Sequence, residues 1–471
     1  MRSLFLILTL LFSGIISVNA DLVVYPAPKG AELNADFTVS VRQNNELWQL
    51  SPSYQVKVDE VRYAKHNVEL ASMAYFDFTG EVEISVTYNK GDINEARIRP
   101  LSYNIKPEIK GNTMTFKLNQ PRNLSVEVNG DIFHNLHLFA GPIDHFKVNK
   151  KDKNLVYFGA GIHTPTNGRN FIIPSGKTVY VAGGAILKGQ LLVSNVSDVK
   201  ILGRGLIDVS VKEGIRIENS KNIEVEGITL TQIPVGSSDS VFITNVKSIS
   251  YYGWGDGMNV FASNNVHYDR VFCRNSDDCH TVYATRKGFV GGCRNITMRN
   301  SVLWADVAHP IQIGTHGNTQ IPDIIEQLYY SNIDILDHKE MQIDYQGCLS
   351  LNAGDSNFIR DVVFEDIRIE NFRQGQLINL RVFYNSKYCT SPGRGIENVL
   401  FKNLTYTGTN AELSIIAGYD EQRKVKNITF ENLIINGKHI TDDMPEKPAW
   451  YKTGDMARIF IGEHVQNVSF K

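Results

Sequence analysis

Three aspartates and a histidine between Trp254 and Gly317 have the types and spacing of acid/base chemistry. Asp256 lies in Gly255-Asp256-Gly257, Asp277 and Asp278 adjoin in Asp-Asp-Cys279, and His309 follows. Glycine on both sides leaves the Asp256 carboxylate open to a ligand. Adjacent acids repel, which raises one pKa and keeps one proton available near neutral pH. Cleavage of a glycosidic bond needs that mixture: one carboxyl protonates the leaving oxygen while others activate water. An Asp-Gly turn or an Asp-Asp pair alone marks a solvated corner. The combination with His309, which would tune or orient the acids, and with Gly314 and Gly317 points to a site.

Acids so far apart in sequence act together only if the fold stacks them. Asp256 and Asp277 are 21 residues apart, about one coil of a parallel β-helix, and stacked coils lie about 4.8 Å apart. A loose repeat, Asn-[Val/Ile]-x-[apolar]-x-x-[apolar], begins at Asn222, Asn265, Asn295, Asn398, Asn427 and Asn467, with degenerate copies at Val199, Val246, Ile324 and Val362. Alternating strands with no amphipathic helices between them exclude a βαβ architecture. The absence of a 3.6-residue apolar period excludes helical repeats. The expectation is an all-β chain whose residues 170–471 form a right-handed parallel β-helix, with asparagines near corners, where their tolerance of left-handed backbone helps.

Residues 21–149 read differently. Short runs of period two, such as Phe37-Thr-Val-Ser-Val and Val82-Glu-Ile-Ser-Val-Thr-Tyr, alternate with polar turns at the spacing of a β-sandwich. Residues 150–169 are expected to be a linker or cap. Residues 1–20 carry Arg2, an apolar core from Leu4 to Ile16 and a small-residue site at Val18-Asn19-Ala20. They predict an export signal cleaved after Ala20, giving a periplasmic or secreted protein. A net charge of −2 over 471 residues argues against a nucleic-acid binder, and no later stretch is apolar enough to span a membrane. Five cysteines, Cys273, Cys279, Cys293, Cys348 and Cys389, form no complete disulfide framework and read as buried thiols.

The motifs resemble those of inverting β-helix glycosidases, namely the polygalacturonases (glycoside hydrolase family 28) and the dextranases with isopullulanases (family 49). Gly255-Asp256-Gly257 resembles the polygalacturonase Asn-Thr-Asp-Gly segment, with Trp254 and Gly255 in place of Asn-Thr, and Ser276-Asp277-Asp278-Cys279 resembles its Asp-Asp-Cys segment. His309-Pro-Ile-Gln-Ile-Gly-Thr315 resembles Gly-His-Gly-Leu-Ser-Ile-Gly-Ser, and Gly203-Arg-Gly-Leu-Ile-Asp208 resembles the upstream Gly-x-Gly-x-Ile-Asp coil. Family 49 is similar over more of the chain, because its members carry a sandwich before the helix. Arg97–Tyr103, Leu124–Gly130 and Leu136–Ala140 look like that domain. The resemblance implies Asp277 as general acid and Asp256 and Asp278 as holders of the attacking water. A one-coil offset by itself suggests the short carboxylate gap of retaining enzymes; the resembled families invert, and inversion is the expectation taken from them.

The expected partner is a polysaccharide or oligosaccharide, cleaved by a monomer without cofactor or metal. Trp254 and Trp304 could stack on sugar faces. Gln312 and His316, just after His309, and the cations Lys339 and Arg381 complete the candidate substrate-binding set. A uronate polymer needs fixed cations in its cleft. Arg286, Lys287, Lys339 and Arg381 are available, but none occupies the Arg-x-Lys position by which polygalacturonases hold a uronate. That departure, with the long interval from Asp278 to His309, favours a neutral, dextranase-type α-glycan, with a polygalacturonase-like activity as the alternative. A polysaccharide lyase, which would depend on calcium, and a non-catalytic glycan-binding β-helix are the other classes compatible with the sequence.

Overall fold

The computed structural model describes residues 21–62 and 65–471. The expected export signal, residues 1–20, lies outside the described residues. Two architectures follow one another, and the change in strand chemistry explains both.

The N-terminal part is a sandwich of a six-stranded and a five-stranded sheet, nearly all antiparallel. Strands such as Phe37–Arg42 and Val82–Tyr88 bury alternate residues, and the inward ones (Val39, Val41, Ile84, Val86, Phe116, Leu138) form one apolar cluster. Period-two burial of this kind is what two packed sheets require. Two strands are longer than the sandwich needs. Tyr54–Arg62 and Lys65–Phe78 pair antiparallel from Tyr54↔Met73 to Arg62↔Lys65. In the second strand the last eight residues are buried while the first six alternate between exposed and half-buried. The hairpin therefore projects from the sandwich as a two-stranded arm.

From Leu155 the strands pair in parallel with strands one coil later, beginning with Leu155↔Thr178. The first coil thus lies in the stretch expected to be a linker. Two sheets, of 20 and 11 strands among the described residues, run through to Phe470. They enclose one continuous apolar core, dominated by Val, Ile and Leu, as a stack of coils that bury their faces only against one another must. Rings stack in register inside it: Tyr330 on Phe364, Phe364 on Phe401, Phe401 on Phe430 and Phe430 on Phe470, with centroids 5.0, 5.1, 4.9 and 4.7 Å apart. All five cysteines are free and buried.

The repeat asparagines sit where the coil turns. Asn222, Asn265, Asn295, Asn398, Asn427 and Asn467 all have φ between 52° and 58°, the left-handed region that a short amide tolerates. Each also bonds to its counterpart one coil earlier: Asn467 Nδ2 donates to Asn427 Oδ1, Asn427 to Asn398 and Asn398 to Asp361, at 3.0, 3.0 and 2.9 Å. The degenerate repeats at Val199 and Val362 keep a left-handed residue at the same corner, Asp198 and Asp361 with φ of 59° and 56°, whereas Asn245 before Val246, with φ of 54°, stands at a different corner, opposite Arg270 of the next coil.

The sandwich lies along one side of the helix. Tyr54, Val56, Val58, Met73 and Phe139 pack on Ile186, Leu206, Ile249, Phe272 and Trp304, residues from successive coils. Buried ions cross the same seam. Arg204 pairs with Asp77 at 2.6 Å, Arg99 with Glu370 at 2.6 Å, and Arg274 donates to Asn135 Oδ1 at 2.8 Å.

Candidate active site

The acids stand at one corner of the stack, on loops that lead into the 11-stranded sheet. Strands Met258–Phe261, His280–Tyr283 and Ile311–Gly314 pair Met258↔His280 and His280↔Ile311. Counting back two residues aligns Asp256, Asp278 and His309 on successive coils. Backbone bonds from Gly257 N to Asp278 O (2.9 Å) and from Cys279 N to His309 O (2.8 Å) carry the register out to them. The neighbour of Asp256 one coil on is therefore Asp278, with Asp277 beside that column. Ser250 Oγ ties the two acid loops together, since Asn275 Nδ2 (3.0 Å) and Ser276 N (3.2 Å) both donate to it.

The three carboxyls have different surroundings. Asp278 is 5% exposed and accepts three hydrogen bonds, from Tyr283 OH (2.9 Å), His309 N (3.1 Å) and His309 Nδ1 (2.7 Å). The other ring nitrogen of His309 faces the Tyr345 carbonyl oxygen. Both nitrogens thus meet acceptors, which calls for the doubly protonated ring. Burial pushes Asp278 up, but the His309 charge and these hydrogen bonds outweigh it and hold the carboxyl below its usual range. For His309, burial works against the charge, yet Asp278 raises its pKa above the usual value.

Asp277 and Asp256 shift the other way. Burial, then the charges of Asp256 and Asp278, push Asp277 well above the carboxylate range; a single backbone bond, from Asp278 N at 3.0 Å, opposes them. Burial and the Asp278 charge raise Asp256 to about 6, against the pull of Asn259 Nδ2, which donates to it at 2.7 Å. The corner therefore sets the three carboxyls apart: burial and neighbouring charges favour the proton on Asp277, His309 and the donors around it favour the charge on Asp278, and Asp256 lies between them at about 6.

A cleft of about 740 Å³ opens over these groups, within the size range of ligand sites. Trp254, 81% exposed, stands at its rim. His316 lines it, edge-on to Tyr283 with centroids 5.1 Å apart. Four cationic side chains line it too, resting on ring faces: Arg286 over Tyr283 (4.6 Å), Lys287 over Phe261 (5.3 Å), Lys212 over Tyr252 (5.4 Å) and Lys387 over Tyr388 (4.7 Å).

Four of the expected substrate contacts lie elsewhere. Trp304 is fully buried in the seam with the sandwich, with the Arg274 guanidinium 4.0 Å from its ring; an outward position in a strand is covered there by the second domain. Gln312 is fully buried and donates to Thr315 Oγ1 and Asn352 Oδ1 at 2.7 and 3.2 Å, so it is interior scaffolding. Arg381 sits mid-strand, paired between Asn352 and Ala417 and outside the cleft lining. Lys339 belongs to the loop beneath, bridging Ala308 and Gln374 through its backbone, and Glu340 lines the cleft in its place.

Sequence reasoning missed Asn259, Tyr283, Tyr345, Lys387 and Tyr388. The interval between strands Ile324–Asp337 and Leu349–Ala353 was the available signal, because a coil with an enlarged corner loop is where a cleft wall is built. Tyr345 comes from that loop and stacks on Tyr388 at 4.6 Å.

A parallel β-helix whose corner cleft gathers three carboxyls with proton affinities pushed apart is the apparatus of a glycoside hydrolase, and this chain is one. It belongs to the glycosyl hydrolases family 28, whose profile matches residues 123–447. Among solved structures, Dex49A from Penicillium minioluteum is 13% identical with a TM-score of 0.57, covering 95% of this chain and 96% of that one. It shares the fold over both domains. A Yersinia enterocolitica family 28 exopolygalacturonase is 12% identical with a TM-score of 0.46, covering 82% of this chain and 96% of that one. No curated protein matches the chain in sequence.

Proposed function

We propose that the protein is an inverting glycosidase of acidic, uronate-containing glycans, with Asp277 as general acid. The carrying observation is the split between neighbours: Asp277 sits well above the carboxylate range and Asp278 below it. Asp277 donates its proton to the leaving glycosidic oxygen. Asp256 and Asp278 hold the attacking water; Asp278 already takes three donors, so Asp256 accepts the water's proton. His309 keeps Asp278 ionised, and that charge in turn keeps the proton on Asp277. Release of the inverted anomer, followed by NMR on fresh product, tests this assignment; an initially retained anomer would make one carboxylate a nucleophile.

The acidic substrate rests on Lys212, Arg286, Lys287 and Lys387, cations of the cleft lining that rest on aromatic faces and, among the described residues, form no ion pair. They offer sugar carboxylates charge-assisted partners that sequence reasoning sought at an Arg-x-Lys position. The exposed ring of Trp254 favours the second reading, a neutral α-glycan stacked at the rim. Initial rates on polygalacturonate and on dextran-type α-glucan separate the two. Preference for polygalacturonate with salt-sensitive KM supports the first, and preference for dextran the second. The composition of residues 1–20 supports a further proposal, that the protein is exported and cleaved after Ala20.

A further inference from the structure

We infer that the N-terminal sandwich contributes a substrate-binding residue, His66, to the catalytic cleft, so that specificity is shared between the domains. The inference rests on the glycosidase reading of the cleft and extends it to a residue outside the β-helix.

The hairpin formed by Tyr54–Arg62 and Lys65–Phe78 extends beyond the sandwich core, and an isolated two-stranded ribbon is only marginally stable. This one is held by the helix. Its inner strand runs across successive coils: Val56 and Val58 are buried in the seam cluster with Ile186, Leu206 and Ile249, and the Lys57 ammonium lies 5.1 Å from the Tyr251 ring, beside the Asp256 loop. The arm carries a residue to the cleft. His66, opposite Val61 in the pairing, lines the same cleft as Asp256, Asp277, Asp278 and Glu340.

His66 is also held in place. Its Nδ1 bonds the carboxylate of Asp59, a fully buried residue of the facing strand of the arm. The His66 side chain itself is 47% exposed. With Nδ1 engaged, Nε2 is the ring atom left for a ligand. An imidazole backed by a buried carboxylate is a preorganised acceptor for a sugar hydroxyl. It is a binding group and not part of the acid/base set, which the helix supplies from one corner of three coils.

Steady-state kinetics on a galacturonate oligomer series and on polygalacturonate test this with His66→Ala and His66→Gln, alongside thermal unfolding. The expected result for His66→Ala is a KM raised by up to about tenfold, the upper scale of one lost hydrogen bond, with kcat within about twofold and an unchanged Tm. His66→Gln, which keeps a polar reach, should recover part of the loss. Unchanged KM in His66→Ala, or a fall in kcat alone, would overturn the inference while leaving the glycosidase reading intact. No turnover by the unaltered protein on any glycan would remove that reading and this inference together.

Discussion

Each coil of the helix turns at an asparagine corner and at a cleft corner, and the two solve opposite problems. At the first, Asn398, Asn427 and Asn467 repeat one backbone conformation and pass one hydrogen bond from coil to coil. At the second, loops of unequal length leave Asp256 and Asp277 with few donors, and Asp278 is held by Tyr283 of its own coil and His309 of the next. Repetition lets the first corner contribute stability with every turn. Irregularity lets the second hold carboxyls in states that water would not permit. Stability and chemistry are thus separated across the width of one coil, and substitutions at the two corners should have separable effects.

The largest effect belongs to the cleft. Asp277→Asn should lower kcat by roughly 10³-fold or more, the upper range for removing a general acid, without loss of Tm. The sign follows from its raised pKa. A carboxyl that holds its proton more tightly in the folded state contributes stability below the unfolded pKa and loses it as pH rises toward the folded value. A neutral amide should therefore leave the protein equally stable at neutral pH, or more so. A Tm falling with activity would erase the distinction between the corners.

Next comes the asparagine corner. Asn427→Ala removes an amide that donates to Asn398 and accepts from Asn467, at a φ of 57°. Loss of both bonds and the left-handed penalty together should destabilise by about 2 kcal/mol in denaturant unfolding, with kcat unchanged. Asn427→Gly, free of the backbone penalty, should lose less. If the alanine variant instead lost activity at unchanged stability, the corners would not be independent.

The smallest effect tests the electrostatics of the cleft corner. Asn259 donates to Asp256 and lowers a pKa that stands at about 6. Activity should fall below that pH as Asp256 takes up its proton. Replacing the amide in Asn259→Leu should move the acid limb of the pH–rate profile upward by up to about one unit, the worth of one such bond. An unmoved or lowered limb would assign the acid limb to another group.

The β-helix was legible in the sequence because each coil writes the same instruction again: an apolar alternation and an αL-tolerant residue at the turn. Asp256, Asp277, Asp278 and His309 were legible for a related reason, since register stacks what sequence spaces by one coil. Trp304 and Gln312 were not, because pattern gives the face of a strand without saying what covers it. The sandwich lies over Trp304, and the fully buried Gln312 spends its amide on Thr315 and Asn352. Tyr345 and Lys387 come from irregular loops and His66 from another domain, and no local period encodes such meetings.

Whether Asp277 delivers the proton to the leaving group is decided by the dependence of rate on leaving-group ability. Rates of the unaltered protein and of Asp277→Asn should be compared on the natural glycan and on a dinitrophenyl glycoside of the same sugar, whose aglycone departs without protonation. The expected loss is roughly 10³-fold on the glycan and less than about tenfold on the activated glycoside. Equal losses on both substrates would contradict it and move the proton donor to another residue.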